Sequence, residues 1–328
     1  MDQIPRNRIA DLLRAARSIL LVTHVAPDGD AIGSLLGLGW LLRGLGKEPI
    51  LACEDPSPSS VSWLPGSVDI VQQAEGPCDL VICLDCSDER RMGNVLGERF
   101  SGTPLINIDH HVTNTRFGTV NWVDPSSAST AQMVLMLAES MGWEVTPTVA
   151  ECLLTGLVTD TRGFRTYNVD AGAMRAALRL MDAGATLNEI TRRTLEQRPL
   201  ASVRLWGQAF DRIQLEGGIM WTEVTRDMQQ RWFNGENGDS GLANFLSGVR
   251  ESSIVVVFTE RGDGTIDVGM RSVPGFDVAT VACRLGGGGH PQAAGCTLPG
   301  PLAEVQGRVL DEIQQSLALS DTHHSQLL

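Results

Sequence analysis

Histidine and aspartate recur in four short stretches of this chain. THVAPDGDAIGS (23–34) carries His24, Asp28 and Asp30. Asp85 closes the apolar run DLVICLD (79–85). Asp109, His110 and His111 follow the apolar residues of PLINID (104–109), and Asp160 lies in GLVTDTRGF. Carboxylate mixed with imidazole suits manganese, zinc or iron rather than calcium. Six donors, His24, Asp28, Asp30, Asp85, His110 and Asp160, are too many for one catalytic ion with an open position, and about right for two. Two ions that share a carboxylate sit ~3.5–4 Å apart and clamp the attacking and leaving oxygens of a displacement at phosphorus. They also bring the pKa of bound water down toward ~7. Each residue alone has an ordinary reading: Asp30 could cap the helix it precedes, and a lone histidine is usually structural. Taken jointly, DGD and DHH concentrate like charge at a cost that a cation removes.

A second stretch could handle an anion. In GGGGHPQAAG (286–295) four successive glycines, Gly286 to Gly289, would let backbone N–H groups approach a phosphate closely. A plain turn is the alternative. His290 follows directly, and Arg271 lies on an adjacent predicted strand, where it could grip phosphate in a fork or stack on a base. The seven tryptophans are scattered without interleaved basic residues, unlike a stacking track for single-stranded nucleic acid.

These residues need elements to bring them together. SILLVT (18–23), EPILACE (48–54), DLVICLD and PLINID read as buried strands, with FGTVNWV (117–123) a weaker fifth. Helical spacing alternates with them over Asp30–Leu45, Ser127–Met141, Thr148–Thr159 and Ala171–Ala183. Such alternation predicts an α/β fold with a parallel sheet. The carboxyl ends of parallel strands line one edge, where ligands bind, so His24, Asp85 and His110 converge there, and Asp160 could approach it. The second half predicts a strand pair over Val203–Leu215 and 217–224 joined at Gly217-Gly218. A hairpin over 252–260 and 265–272 turns at Gly262-Asp263-Gly264, and a closing helix runs from Ala303 to Leu317. The expected organisation is a domain over 1–187, a helical linker over 188–204, a second domain over 205–318, and a disordered tail over 319–328.

Composition narrows the class. The chain has 328 residues, 42% hydrophobic and 20% charged, enough for two compact domains. No apolar run is long enough for a membrane span, and the N-terminus lacks the order of a signal peptide. A cytoplasmic protein is expected. The seven cysteines are odd in number and dispersed, which argues against a disulfide framework. The Cys83/Cys86 pair reads better as strand filling than as a redox or zinc site. A net charge of −13 argues against tight binding of long nucleic acid, but not against small phosphorylated substrates.

The chain resembles the DHH phosphoesterase superfamily, whose naming triplet stands here as Asp109-His110-His111. The match runs over nearly the whole chain: His24-x-x-x-Asp28-x-Asp30, Asp85 in LDCSD, IDHHVTN (108–114), TDT (159–161), and the glycine-rich mark of the DHH-associated domain. The resemblance implies a smaller C-terminal α/β domain with a mixed sheet, and an active site in the cleft between the two domains. It implies two divalent cations, most commonly manganese. His24 and Asp28 would hold the first, Asp30, His110 and Asp160 the second, and Asp85 would bridge them. His111 would contact the scissile phosphate or aid the leaving group, with Asp109 orienting a neighbouring histidine. Asn114 would face the substrate or serve a turn. Arg271, Ser272, Gly287, Gly288, Gly289 and His290 would hold the non-scissile end.

One departure stands out: relatives of this kind often read TDTG, where this chain has Arg162 in the glycine's place, at the rim of the expected pocket. The compact two-domain form resembles the branch that degrades very short oligonucleotides and dephosphorylates 3'-phosphoadenosine 5'-phosphate. Linear or cyclic dinucleotide phosphodiesterases, pyrophosphatases or exopolyphosphatases, and a non-catalytic nucleotide-binding protein are the alternatives. A homodimer is left open.

Overall fold

The computed structural model describes residues 5–96, 102–233 and 241–325. The chain divides into two compact units, Met1–Gln197 and Arg198–Leu328.

The first unit contains helices α1 (Arg6–Ala15), α2 (Gly29–Gly44), α3 (Thr130–Met141), α4 (Pro147–Asp160), α5 (Ala171–Asp182) and α6 (Leu187–Thr191). Its strands are β1 (Ile19–Val22), β2 (Ile50–Ala52), β3 (Leu80–Leu84), β4 (Leu105–Asp109) and β5 (Val120–Val123). They form a five-stranded sheet in the order β2-β1-β3-β4-β5. Every pairing is parallel, with Leu21 opposite Ile82, Ile82 opposite Ile106 and Ile106 opposite Val120. The apolar runs have no polar alternation because both faces are covered. Leu21, Ile82, Leu84, Ile106 and Ile108 face the helices, while Leu20, Val22, Val81 and Cys83 pack against Ala74, Met92 and Val95 of the connecting segments. The order reverses between β1 and β3, so a crevice opens at their carboxyl ends.

Helix α2 is buried almost all round, and small residues let α4 cross it closely. A Cβ on Gly33 would lie 2.6 Å from the Cys152 carbonyl oxygen and 2.8 Å from Gly156 N. This crossing sets the distance between Asp30, in the first turn of α2, and Asp160, the last residue of α4.

The second unit contains helices α7 (Leu200–Phe210), α8 (Arg226–Trp232), α9 (Leu242–Leu246), α10 (Val278–Arg284) and α11 (Leu302–Ser325). Its strands are β6 (Gln214–Glu216), β7 (Ile219–Val224), β8 (Ile254–Glu260), β9 (Thr265–Ser272), β10 (Gly288–His290) and β11 (Ala293–Pro299). The sheet order is β10-β11-β9-β8-β7-β6, and only β7–β8 is parallel. The fold is thus α/β, with a parallel and a mixed sheet, as the sequence predicts.

Two local expectations need correction. Val203 to Phe210 is helix, not strand: Ser202, Leu205, Trp206 and Ala209 are buried at helical spacing after Pro199, and the strand begins only at Gln214. The hairpin turn itself is at Gly217-Gly218, both with positive φ, as a two-residue turn of this kind requires. Helix α11 runs on to Ser325, so the part of the expected disordered tail that is described is helical; residues 326–328 lie outside the described residues. No glycine or proline after Gly307 ends the helix sooner. Gly288 and Gly289 form part of edge strand β10. All seven cysteines are free, with Cys83 and Cys86 buried. No helix among the described residues is long and apolar enough to cross a membrane.

Candidate metal centre

The carboxyl edge of the parallel sheet gathers all six predicted ligands. His24 follows β1, almost fully buried, with Nδ1 2.8 Å from the carbonyl oxygen of Val25. Asp28, not Asp30, is the N-cap of α2: its Oδ1 accepts from Asp30 N and Ala31 N, each at 3.0 Å. Capping still leaves Asp28 Oδ1 3.9 Å from His24 Nε2. Asp30 is fully buried, and both its oxygens are held by the start of α3: Thr130 N donates at 2.6 Å and Ala131 N at 2.9 Å. Free N–H groups and the helix dipole at that end favour a carboxylate.

Asp85 occupies the centre. It follows β3 with φ +61°, a left-handed conformation that aspartate tolerates better than most residues. Its Oδ2 is 3.5 Å from His24 Nε2, its Oδ1 3.7 Å from His110 Nε2, and Thr130 Oγ1 donates to Oδ1 at 2.8 Å. His110, after β4, points Nε2 toward Asp30 Oδ2 at 3.9 Å and Asp160 Oδ2 at 3.6 Å. The donor groups among the described residues include His24/Asp28/Asp85 and Asp30/Asp85/His110; Asp85 belongs to both, and also to a group with Asp109 and His111. Separations of 3.5–3.9 Å are long for hydrogen bonds. Ligands about 2.1 Å from a shared ion and roughly tetrahedral lie ~3.4 Å apart, so the donors fit cations better than one another.

The electrostatics agree. Burial, then repulsion by Asp85 and Asp160, raises Asp30 well above the usual carboxylate range. Burial also raises Asp160, to about 6, with His110 opposing and Asp28 and Asp85 adding to the shift. Burial would raise Asp85 too, but the hydrogen bond to His24 and the charges of His111 and His110 hold it below its ordinary value. Carboxylates forced toward neutrality beside one held ionised are what a dinuclear cation site looks like when only protein charge is counted.

A hydrogen-bonded chain lies behind the ligands. Asp109, the last residue of β4, accepts from His111 Nδ1 at 2.7 Å and from Asn114 Nδ2 at 2.6 Å. Burial disfavours a charge on His111, yet Asp109 and then Asp85 raise its pKa to about 9. Asn114 also donates to Asn107 Oδ1 and the Cys86 carbonyl. Its amide thus orients Asp109, while its Oδ1 accepts from Arg116 N at 2.7 Å, in keeping with the turn role.

In the second unit, strand register sets His290, Ala293 and Arg271 in one row across β10, β11 and β9. Register partners share a face, and the small Ala293 leaves space between the two basic side chains. Arg271 Nε donates to Asn244 Oδ1 at 2.6 Å. The Ser272 hydroxyl donates to the Phe276 carbonyl at 2.8 Å and lies 3.2 Å from that of Pro291. The glycines divide by role. A Cβ on Gly287 would lie 2.1 Å from the Gly295 carbonyl oxygen, and one on Gly289 2.5 Å from that of Ala293. Those two are required by packing, whereas Gly288 meets nothing within 4 Å and is the one open to a ligand. Arg162, Gly163 and Phe164 all have positive φ, which explains in physical terms why glycine suits the position that Arg162 holds.

Two residues at the centre escaped the sequence reading. Thr130 stands in SSAST and Arg91 in SDERR, and neither stretch by its residue types points to a cation or a phosphate.

The model of the DHH family, N-terminal domain, matches residues 18–157, and that of the DHHA1 domain matches 230–319. The bifunctional oligoribonuclease and PAP phosphatase NrnA of Thermus thermophilus is 38% identical, over 94% of this chain and 93% of its own. Its Bacillus subtilis counterpart is 31% identical, over 86% and 89%. Among solved structures, an exopolyphosphatase-related protein from Bacteroides fragilis aligns with a TM-score of 0.84 at 25% identity, covering 95% of each chain.

Proposed function

This chain belongs to the DHH family, and on that premise we propose that it hydrolyses phosphoester bonds in very short oligonucleotides and removes the 3'-phosphate of 3'-phosphoadenosine 5'-phosphate. The observation that carries the chemistry is the membership of Asp85 in both donor groups, which suits a carboxylate shared by two cations. Relatives aligned over more than nine-tenths or more than four-fifths of both chains support the substrate class.

His24, Asp28 and Asp85 would hold one divalent cation, and Asp30, His110, Asp160 and Asp85 the other. The donor mix suits manganese, zinc or iron, and manganese is the choice that the family resemblance favours. When bound, the pair would supply an acidified water and charge neutralisation for in-line displacement at phosphorus. The protein's own groups prepare that step. Thr130 and the first amides of α3 fix the carboxylates of Asp85 and Asp30. His111, hydrogen-bonded through Nδ1 to Asp109, can stabilise charge on the phosphoryl group or protonate the leaving oxygen. Arg271, Gly288 and His290 are assigned to the non-scissile end. A short grip of this kind needs few phosphate contacts, in keeping with the net charge of −13.

The test is a manganese-loaded panel of a dinucleotide, a pentanucleotide, a long strand, a cyclic dinucleotide, 3'-phosphoadenosine 5'-phosphate and pyrophosphate. Turnover is expected to be fastest on the dinucleotide and the 3',5'-bisphosphate, and to vanish in Asp85→Ala. A preference for pyrophosphate or for the cyclic dinucleotide would replace the proposal with one of those activities. Bound manganese without turnover of any substrate would favour a nucleotide-binding role.

A further inference from the structure

Arg91 is a cation placed at a cation site. It lies in a single 3-10 turn, Glu89–Met92, started by Asp88, whose carboxylate accepts from Arg90 N. The turn is tied to the metal-ligand loop: Val25 N donates to the Arg91 carbonyl at 2.7 Å. The side chain is thereby carried to His24, with Nη2 2.9 Å from Nδ1. Among the described residues no carboxylate lies within salt-bridge reach of it. His24 Nε2 is in turn 3.5 Å from Asp85 Oδ2, so Arg91 lies one residue behind the shared carboxylate.

His24 Nδ1 cannot serve both of its neighbours. It is 2.8 Å from the Val25 carbonyl oxygen, which requires a proton on Nδ1, and 2.9 Å from a guanidinium N–H, which requires a lone pair there. A histidine that gives Nε2 to a cation carries its proton on Nδ1 and donates it to a second group, here Val25. Arg91 then has no acceptor on His24. It remains an arginine with a forked set of donors beside a centre whose four ligand carboxylates balance two divalent cations, while Asp109 is taken by His111 and Asn114. An anionic oxygen is the acceptor this arrangement lacks.

We propose that Arg91 is a substrate-binding residue of the metal centre: with cations bound, its guanidinium leaves His24 and holds a non-bridging oxygen of the phosphoryl group under attack. This rests on the phosphoester reading above. The competing role is structural, steering the His24 ring, and it would act through metal affinity.

Wild type, Arg91→Gln and Arg91→Lys are compared by three readouts: manganese binding by calorimetry, kcat/KM for 3'-phosphoadenosine 5'-phosphate, and binding of inorganic phosphate to the manganese-loaded protein. Arg91→Gln is expected to keep the manganese affinity. It should lose about 10- to 100-fold in kcat/KM and in phosphate affinity, the scale of one charge-assisted hydrogen bond, with Arg91→Lys in between. Unchanged phosphate binding in Arg91→Gln would overturn the proposal. So would a loss of activity matched by an equal loss of manganese affinity. If the wild type turns over neither the bisphosphate nor a dinucleotide, the functional reading fails by itself, and the phosphate titration still decides the role of Arg91.

Discussion

Metal sites are decided by the atoms that aim the ligands as much as by the ligands. Thr130 is fully buried, its hydroxyl donates to Asp85 Oδ1 at 2.8 Å, and its amide donates to Asp30 Oδ2 at 2.6 Å. One residue thus orients a carboxylate in each donor group. Thr130→Val keeps the shape and the amide but removes the hydroxyl. It is expected to fold and to bind manganese about 10-fold more weakly, within the ~10–100-fold range for loss of a group behind a metal ligand. Thr130→Ser should restore most of the affinity. Calorimetric titration of the two variants decides it, and a Thr130→Val protein that binds like wild type would remove Thr130 from the site. The six candidate ligands could be named from sequence because clustered aspartate and histidine are costly without a cation. Thr130 was not legible, because a threonine in SSAST has the same spelling whether it begins a helix or also holds a ligand. For Asn114 and Ser272 the side-chain chemistry allows several roles, and the structure adds hydrogen bonds to Asp109 and to the Phe276 carbonyl. Only tertiary contacts, not spacing, reveal those bonds.

The elements position the ligands through how closely they pack. Gly33 and Gly156 meet where α2 crosses α4, and a Cβ on Gly156 would lie 2.7 Å from Asp30 Oδ1. Gly33→Ala would drive a methyl group into backbone atoms of Cys152 and Gly156, which cannot rotate away. The expected cost is ~1–3 kcal/mol of stability, together with weaker metal binding as Asp30 and Asp160 move apart. Gly44→Ala, on the same helix with nothing within 4 Å, should be neutral or stabilising by up to ~1 kcal/mol. Thermal unfolding of the pair separates crowding from helix propensity; equal effects would contradict the close-crossing account. The five parallel strands and α2 to α5 were readable because unbroken apolar runs and 3.6-residue spacing hardly overlap in this half. Around 203–215 they do overlap: a buried Leu205-Trp206 pair looks extended until Ala209 shows the helical turn. The glycine run gives no hint of pairing in the sequence, whereas Gly288 to His290 pair in register with β11.

At the scale of the molecule, the two units carry different chemistry. Every predicted metal ligand lies in Met1–Gln197, and the Arg271/His290 row lies in Arg198–Leu328. If the labour is divided in that way, two ligands should protect two sets of amides. Manganese alone is expected to slow hydrogen exchange at residues 24–31, 85–87, 109–111 and 129–131. The last set includes the Thr130 and Ala131 amides that hold Asp30. A site filled at 100 times its dissociation constant adds about 2.7 kcal/mol, or ~100-fold slower exchange, for amides whose opening breaks the site. Amides of β9 to β11 should not respond to the metal. Addition of a non-hydrolysable dinucleotide analogue should then slow residues 269–272 and 287–291, with Gly288 responding because its open face is where a phosphate can approach. Since Gly287 and Gly289 are packed against β11, Gly288→Ala should abolish that second response and leave the manganese response intact. Nucleotide protection confined to the first unit would show that the Arg271/His290 row does not hold the substrate, and would move recognition to the metal centre and Arg91.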